Sequence, residues 1–287
     1  MILQQLNNKN VILSICRRYT TERQKELMAR GLPKRKQLDG VKHAIIVASG
    51  KGGVGKSTVS VNLSVALSLQ GLQVGLLDAD IFGPSLPLMM NLKDEPLVDD
   101  NNLMIPPVNF GIKCNSMGLL AKQGPVIWRG PLVMSAVERL LKGTLWSPCD
   151  VLVIDTPPGT GDVHLSLAQH IPISGVLLVS TPQAAALNVM QRGAEMFKTL
   201  KIPLIGLVEN MSFIKCDNCS NTIELFNNSI EKYAKEIDLE VLTKIPLTKY
   251  VSEGCDAGEP IVISKKHSDC TKAYIELSKC ITKFLQL

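Results

Sequence analysis

Apolar residues along this chain fall into short continuous runs separated by longer stretches with helical spacing. The runs Ala44–Ala48, Val74–Leu77, Ile112–Asn115, Val151–Ile154, Gly175–Val179, Leu204–Val208 and Glu240–Leu242 are short and rich in Val, Ile and Leu, as expected of strands covered on both faces. Between them, Lys56–Gln70, Leu132–Leu141, Val163–Gln169, Ala185–Leu200, Ser229–Glu236 and Ser268–Phe284 read as helices. This alternation predicts an α/β domain with a mostly parallel sheet and helices on both faces. Gly71 is placed to end the first helix in the left-handed region. The Pro- and Asn-rich stretch Asn91–Pro107 reads as a loop or short hairpin. No internal repeat and no second domain is apparent.

The first strand runs into Gly50-Lys51-Gly52-Gly53-Val54-Gly55-Lys56-Ser57, and the first helix follows at once. That octet satisfies G-x-x-x-x-G-K-[ST] in the strand–loop–helix setting the motif requires. Its glycines let backbone N–H groups wrap phosphate oxygens, Lys56 reaches the β- and γ-phosphates, and Ser57 ligates Mg²⁺. Gly50 through Thr58 are therefore the expected nucleotide-binding residues, with ATP and Mg²⁺ as cofactors. Asp155 ends an apolar run and opens Asp-Thr-Pro-Pro-Gly, the place of a carboxylate that holds Mg²⁺ directly or through water. Gly159 follows where its N–H could meet the γ-phosphate, and Asp162 is read as the cap of the next helix. Asp78 and Asp80 end another strand: Asp78 is read as touching the Mg²⁺ shell or the phosphate loop, and Asp80 as orienting the attacking water.

Cys216-Asp217-Asn218-Cys219 is the one C-x-x-C in the chain and sits in the polar stretch 212–222. Two thiolates at this spacing converge on a metal or close a small disulfide. One chain supplies only two ligands, whereas two copies supply four, which suits tetrahedral Zn²⁺ or an iron–sulfur cluster; spacing does not choose between them. Cys114 and Cys149 read as core thiols, Cys255 as a loop residue, and Cys270 and Cys280 as residues of the last helix. Eight cysteines without regular spacing do not describe a disulfide framework.

The net charge of +5 is uneven. Residues 1–40 carry nine Lys/Arg against three acids, a balance of +6, which leaves −1 for the rest. The body therefore has no basic footprint for nucleic acid. The first 21 residues hold Lys9, Arg17 and Arg18, an apolar cluster and no acid, the composition of a mitochondrial transit peptide. Residues 1–38 are read as this leader plus a linker, and 39–287 as the ATPase domain, located in the mitochondrial matrix. No apolar run is long enough to span a bilayer. The apolar stripe Ala273, Tyr274, Leu277, Cys280, Ile281, Phe284 and Leu285 on the last helix suits either a packed face or peripheral membrane contact.

The loop KGGVGKS resembles the deviant Walker A of the MinD/ParA/Mrp ATPases. In that group the first lysine, here Lys51, acts on the nucleotide across a homodimer, and the resemblance makes Lys51, Lys56 and Asp80 the catalytic set of an ATPase. With the C-x-x-C included, the chain is similar to the Mrp/ApbC family of P-loop iron–sulfur carriers over about residues 30–265. The stretches that carry this are Asp80-Ile81-Phe82-Gly83-Pro84-Ser85, Trp128-Arg129-Gly130, Asp155 through Asp162 and Val208-Glu209-Asn210-Met211-Ser212. The resemblance implies a homodimer that holds a [4Fe–4S] cluster between the paired Cys216 and Cys219. It implies delivery to apo iron–sulfur proteins, with respiratory complex I subunits as clients, and Asn210 as a contact to adenine. The family writes Cys-Pro-x-Cys; Asp217 in place of proline frees φ and adds a negative charge beside the thiols. MinD/ParA-like partitioning and a zinc-stabilised nucleotide switch remain the competing readings.

Overall fold

The computed structural model describes residues 35–120, 130–216, 219, 221–226 and 230–287. The leader and the segment containing Trp128 and Arg129 lie outside the described residues, as do Asp217 and Asn218. The body, Lys36–Leu287, is one contact unit. Its strands are β1 (Val41–Ala48), β2 (Val74–Asp78), β3 (Leu97–Val98), β4 (Met104–Ile105), β5 (Val108–Asn109), β6 (Ile112–Ser116), β7 (Cys149–Asp155), β8 (Gly175–Ser180), β9 (Leu204–Asn210), β10 (Phe213–Lys215), β11 (Thr222–Glu224) and β12 (Val241–Ile245). The helices are α1 (Lys56–Leu69), α2 (Leu86–Met89), α3 (Met117–Leu120), α4 (Gly130–Lys142), α5 (Asp162–His170), α6 (Ala184–Thr199), α7 (Ile230–Glu236), α8 (Lys249–Ala257), α9 (Ile261–Ser264) and α10 (Asp269–Leu285).

Eight strands form one sheet in the order β12-β9-β8-β1-β7-β2-β6-β5, parallel throughout except for β5 against β6. The short apolar runs are its buried centre. Along β1, Ala44, Ile46 and Ala48 pack into one core and Ile45 and Val47 into the other, the period-2 division a two-faced sheet imposes. The first core takes the inner faces of α4, α5 and α6 with Trp146 and Phe197; the second takes α1 and α10 with Tyr274.

The apolar stripe of α10 is part of that second core: Tyr274, Leu277 and Ile281 are fully buried, and Phe284 alone of the named residues is substantially exposed. It is the packed face, and the membrane expectation for this helix loses its basis. Three local expectations are also corrected. The last strand is Val241–Ile245, shifted toward the C-terminus from Glu240–Leu242, because its edge position needs only half its residues apolar. Cys255 lies in α8, whose Gly254 and weak apolar stripe concealed it; Thr248 caps that helix and Gly258, at φ +69°, ends it. The polar stretch 212–222 is part of an antiparallel hairpin, β10 with β11, that runs to Glu224. Asn91–Pro107 does hold a short hairpin, β3 with β4.

Register places the functional positions level. Val47 pairs with Asp155, which pairs with Asp78, while Asn210 pairs with Ile245 further along the sheet. All stand at the carboxyl ends of parallel strands, where open α/β sheets present their ligand crevice.

Candidate nucleotide site and cysteine hairpin

The loop between β1 and α1 is shaped by glycines used for different reasons. Gly53 and Gly55 adopt φ of +79° and +83°, a region closed to most side chains. Gly55 also approaches β9 so closely that a Cβ there would lie 2.2 Å from Asn210 Nδ2. The loop borders a cleft of about 310 Å³ whose walls include Lys51, Lys56, Ser57, Thr58, Asp80 and Pro158. Lys51 is exposed at its lip, whereas Lys56 is buried.

Asp155 gathers the loop's side chains. Lys56 Nζ donates to its Oδ1 at 2.8 Å, Ser57 Oγ to its Oδ2 at 2.6 Å, and Ser60 Oγ to its Oδ1 at 2.7 Å. The Ser57 hydroxyl and a carboxylate in contact are an oxygen pair suited to Mg²⁺, and the positive-φ glycines beside Lys56 form a cradle suited to phosphates. ATP with Mg²⁺ therefore fits these residues. Ser60, which sequence reading missed, lies one helical turn after Lys56 and shares its face, but its bond to Asp155 depends on β7 lying alongside.

Asp78 is buried, and its carboxylate accepts from Asp80 N–H at 3.1 Å, Leu86 N–H at 3.4 Å and Ser116 Oγ at 3.0 Å. None of these partners belongs to the phosphate loop, so Asp78 braces the loop that carries Asp80. Burial and then the negative charge of Asp155 push its carboxyl up to about 7. Asp80 is half-buried and borders both the phosphate cleft and a larger cavity of about 530 Å³ that includes Phe82, Met134 and Pro158.

Gly159 has φ +93° and its N–H donates to Ser49 C=O at 2.8 Å, so here it closes on the protein's own backbone, not toward the cleft. Gly161, not Asp162, is the N-cap of α5; Asp162 is its first residue and makes no side-chain cap. An acid in the first turn still complements the helix dipole. Behind this loop lies a pair that sequence reading left unassigned. Thr156 Oγ1 donates to Val47 C=O at 2.9 Å and accepts from His164 Nε2 at 3.0 Å. His164 is fully buried, edge-on to Phe197 at 5.6 Å, and burial holds its imidazole down at about 4, hence neutral. It ties α5 to the residue after Asp155.

Asn210, at the end of β9, donates from Nδ2 to Val54 C=O at 2.8 Å and is buried against the phosphate loop. Six residues later comes Cys216, whose N–H closes the hairpin on Asn221 C=O at 2.9 Å. Cys216 is half-buried and Cys219 exposed. Among the described residues no three His, Cys, Asp or Glu side chains converge as a metal site within the chain. Cys114 and Cys149 are core thiols, and burial pushes Cys149 up to about 11.

The chain matches, over residues 40–282, the ParA-type family described as NUBPL iron-transfer P-loop NTPase. It is 48% identical over 269 residues to the iron-sulfur cluster transfer protein NUBPL of Mus musculus, covering 92% of this chain and 84% of that one. It is 47% identical over 253 residues to an Arabidopsis thaliana protein named as an iron-sulfur protein required for NADH dehydrogenase, mitochondrial, covering 87% and 81%. Among solved structures, an Archaeoglobus fulgidus nucleotide-binding protein in complex with ADP superposes with TM-score 0.72 at 33% identity, covering 83% of this chain and 94% of that one. The MinD cell division ATPase of Pyrococcus furiosus, 24% identical with TM-score 0.62 over 84% of this chain and 98% of that one, shares the fold. A deviant phosphate loop closed on a strand-end aspartate, a C-x-x-C hairpin on the next-but-one strand and these matches agree: the chain belongs to the NUBPL iron-transfer P-loop NTPase family.

Proposed function

We propose that the protein is an ATP-dependent iron–sulfur cluster carrier of the mitochondrial matrix, acting as a homodimer. Its cargo is a [4Fe–4S] cluster held by Cys216 and Cys219 from both copies and passed to apo-proteins of respiratory complex I. The names of relatives in mouse and Arabidopsis support the transfer and the mitochondrial setting. The observation that carries the reading is the joint placement of the two sites. The strand whose Asn210 is bonded to the phosphate loop continues directly into the hairpin that displays Cys216.

In this reading ATP is held by Gly50–Thr58, and Mg²⁺ by Ser57 and Asp155. Lys56, whose Nζ donates to Asp155 Oδ1, would turn to the phosphates of a bound nucleotide. Asp80, at the lip of the phosphate cleft, orients the attacking water, and Asn210 contacts the base. Lys51, exposed at the same lip, reaches the nucleotide of the facing copy and stabilises charge that develops during hydrolysis. The thiolates of Cys216 and Cys219 are half of a four-thiolate set that the second copy completes. Residues 1–38 serve as the import leader and linker, and 39–287 as the ATPase domain.

The test is anaerobic reconstitution with iron and sulfide, beside a Cys216→Ser/Cys219→Ser variant, counting iron, sulfide and zinc. One [4Fe–4S] per two chains, lost in the variant, supports the carrier. Cysteine-dependent zinc without iron would replace it with a zinc-stabilised nucleotide switch.

A further inference from the structure

The phosphate loop and the cysteine hairpin meet at a single short segment. Gly55 packs on Asn210 and Met211 together: a Cβ at Gly55 would lie 2.2 Å from Asn210 Nδ2 and 3.5 Å from Met211 Cε. Asn210 Nδ2 is also the donor to Val54 C=O. On the other side of Met211 the chain is bolted to the sheet edge. Ser212 N–H donates to Ile245 C=O at 3.0 Å, Ser212 Oγ to Glu209 Oε1 at 2.7 Å, and Leu247 N–H to Phe213 C=O at 2.8 Å. Phe213–Lys215 then pairs with Thr222–Glu224 and presents the cysteines.

Met211 itself has φ +54°, a left-handed conformation unusual for a non-glycine residue with a long side chain. Such a conformation persists only where its surroundings enforce it. Here they are the loop contact before it and the sheet contact after it. A change in the direction of Val54 C=O, which the wrapping of phosphates by neighbouring N–H groups would bring, reaches the hairpin along the backbone through Met211, beside the Ser212–Glu209 bond that spans it.

We infer that Met211 is the positioning residue through which nucleotide occupancy of the phosphate loop sets the placement of the Cys216–Cys219 hairpin. This rests on the nucleotide and cysteine sites proposed above and adds the connection between them. By linkage, whatever nucleotide does to the cysteines, a ligand on the cysteines does to nucleotide affinity.

The experiment uses the full-length, metal-free, reduced protein. Peptide-resolved mass spectrometry follows iodoacetamide alkylation of Cys216 and Cys219 with and without saturating Mg²⁺ and a non-hydrolysable ATP analogue. Calorimetry measures nucleotide affinity separately. In the wild type, nucleotide changes the Cys216 alkylation rate by about fivefold or more, the low end of ordinary site-to-site coupling. Met211→Gly, which removes the stiffness of the linker, binds nucleotide but brings that ratio close to one. Met211→Asn, a residue that accepts left-handed backbone, keeps most of it. Cd²⁺ on the cysteine pair shifts nucleotide affinity in the wild type and not in Met211→Gly. Nucleotide bound with alkylation unchanged in the wild type, or full coupling retained in Met211→Gly, overturns the inference alone. Failure of the wild type to bind nucleotide overturns the site reading as well, and the iron count tests the cysteines independently.

Discussion

Replacing Asp78 with Asn should stabilise the protein without nucleotide at pH 8 and have little net effect at pH 5. Asp78 is 1% exposed, and its carboxyl is raised from 3.8 to about 7, first by burial and then by the charge of Asp155. The unfolded chain ionises it near 3.8, so between about pH 4 and pH 7 the folded state holds the extra proton. Folding stability from this group is full below pH 4 and falls as pH rises through 7. At 1.36 kcal/mol per unit, a shift of that size sets a ceiling of about 4 kcal/mol. Against it stands the loss of one of three accepted hydrogen bonds: with the amide oxygen in the place of Oδ2, which serves Leu86 N–H and Ser116 Oγ, Asp80 N–H loses its partner. That costs about 1 kcal/mol. The expected net gain at pH 8 is about 2–3 kcal/mol, or roughly 4–12 °C in Tm for a domain of this size. Urea unfolding of both proteins at pH 5, 6, 7 and 8, without nucleotide, measures it. A difference that is constant with pH, or an Asn variant less stable than wild type at pH 8, would refute the reasoning.

The remaining site residues give predictions of contrasting sign. Lys56→Ala leaves the buried Asp155 with the Ser57 and Ser60 hydroxyls as its side-chain partners among the described residues. It should cost the empty protein about 3 kcal/mol in chemical unfolding and abolish the rise in midpoint that nucleotide gives. Lys51→Ala, at an exposed lip, should leave unfolding within about 0.5 kcal/mol and nucleotide affinity intact, while slowing phosphate release assays about a hundredfold or more. Unchanged turnover would remove the cross-subunit role. Tyr274→Phe deletes a hydroxyl that is fully buried and without a hydrogen-bond partner among the described residues, and should raise stability by about 1 kcal/mol.

The parts of the fold that were legible in the sequence are those where one physical signal dominates. The runs in β1, β7 and β8 are apolar because both faces are covered. The phosphate loop was legible because its chemistry demands glycines at fixed offsets, two of which have the positive φ that explains them. What escaped is what depends on contacts between distant segments. Nothing local marks Ser60 as a partner of Asp155 or His164 as a partner of Thr156, since each pairing exists only once β7 lies beside the phosphate loop and α5. The hairpin β10–β11 escaped because its residues are mostly exposed and carry no apolar alternation to read. Asp78 was correctly seen as a strand-end carboxylate, but its partners come from β6 and α2, so its bracing role required the sheet order.

Two donors of the candidate nucleotide site are bonded to the protein's own acceptors. Lys56 is spent on Asp155, and the Gly159 N–H is spent on Ser49 C=O. These two exchanges need different parts of a nucleotide. A β-phosphate can draw Lys56 away while leaving Gly159 on Ser49, because the lysine side chain is flexible and Gly159 is backbone. Only a group placed where the γ-phosphate belongs can offer the Gly159 N–H a better acceptor, and a charged one makes a stronger bond than a neutral carbonyl. The loop from Pro157 to Gly161 should therefore respond to ATP and not to ADP. His164, held by Thr156, limits how far that movement can spread into α5. Hydrogen exchange of the peptide containing Gly159 should slow with the non-hydrolysable ATP analogue and stay unchanged with ADP, each with Mg²⁺ at saturation. Equal protection by both nucleotides would show that Gly159 does not report the γ-phosphate. The self-bonded geometry would then have no part in distinguishing the two states.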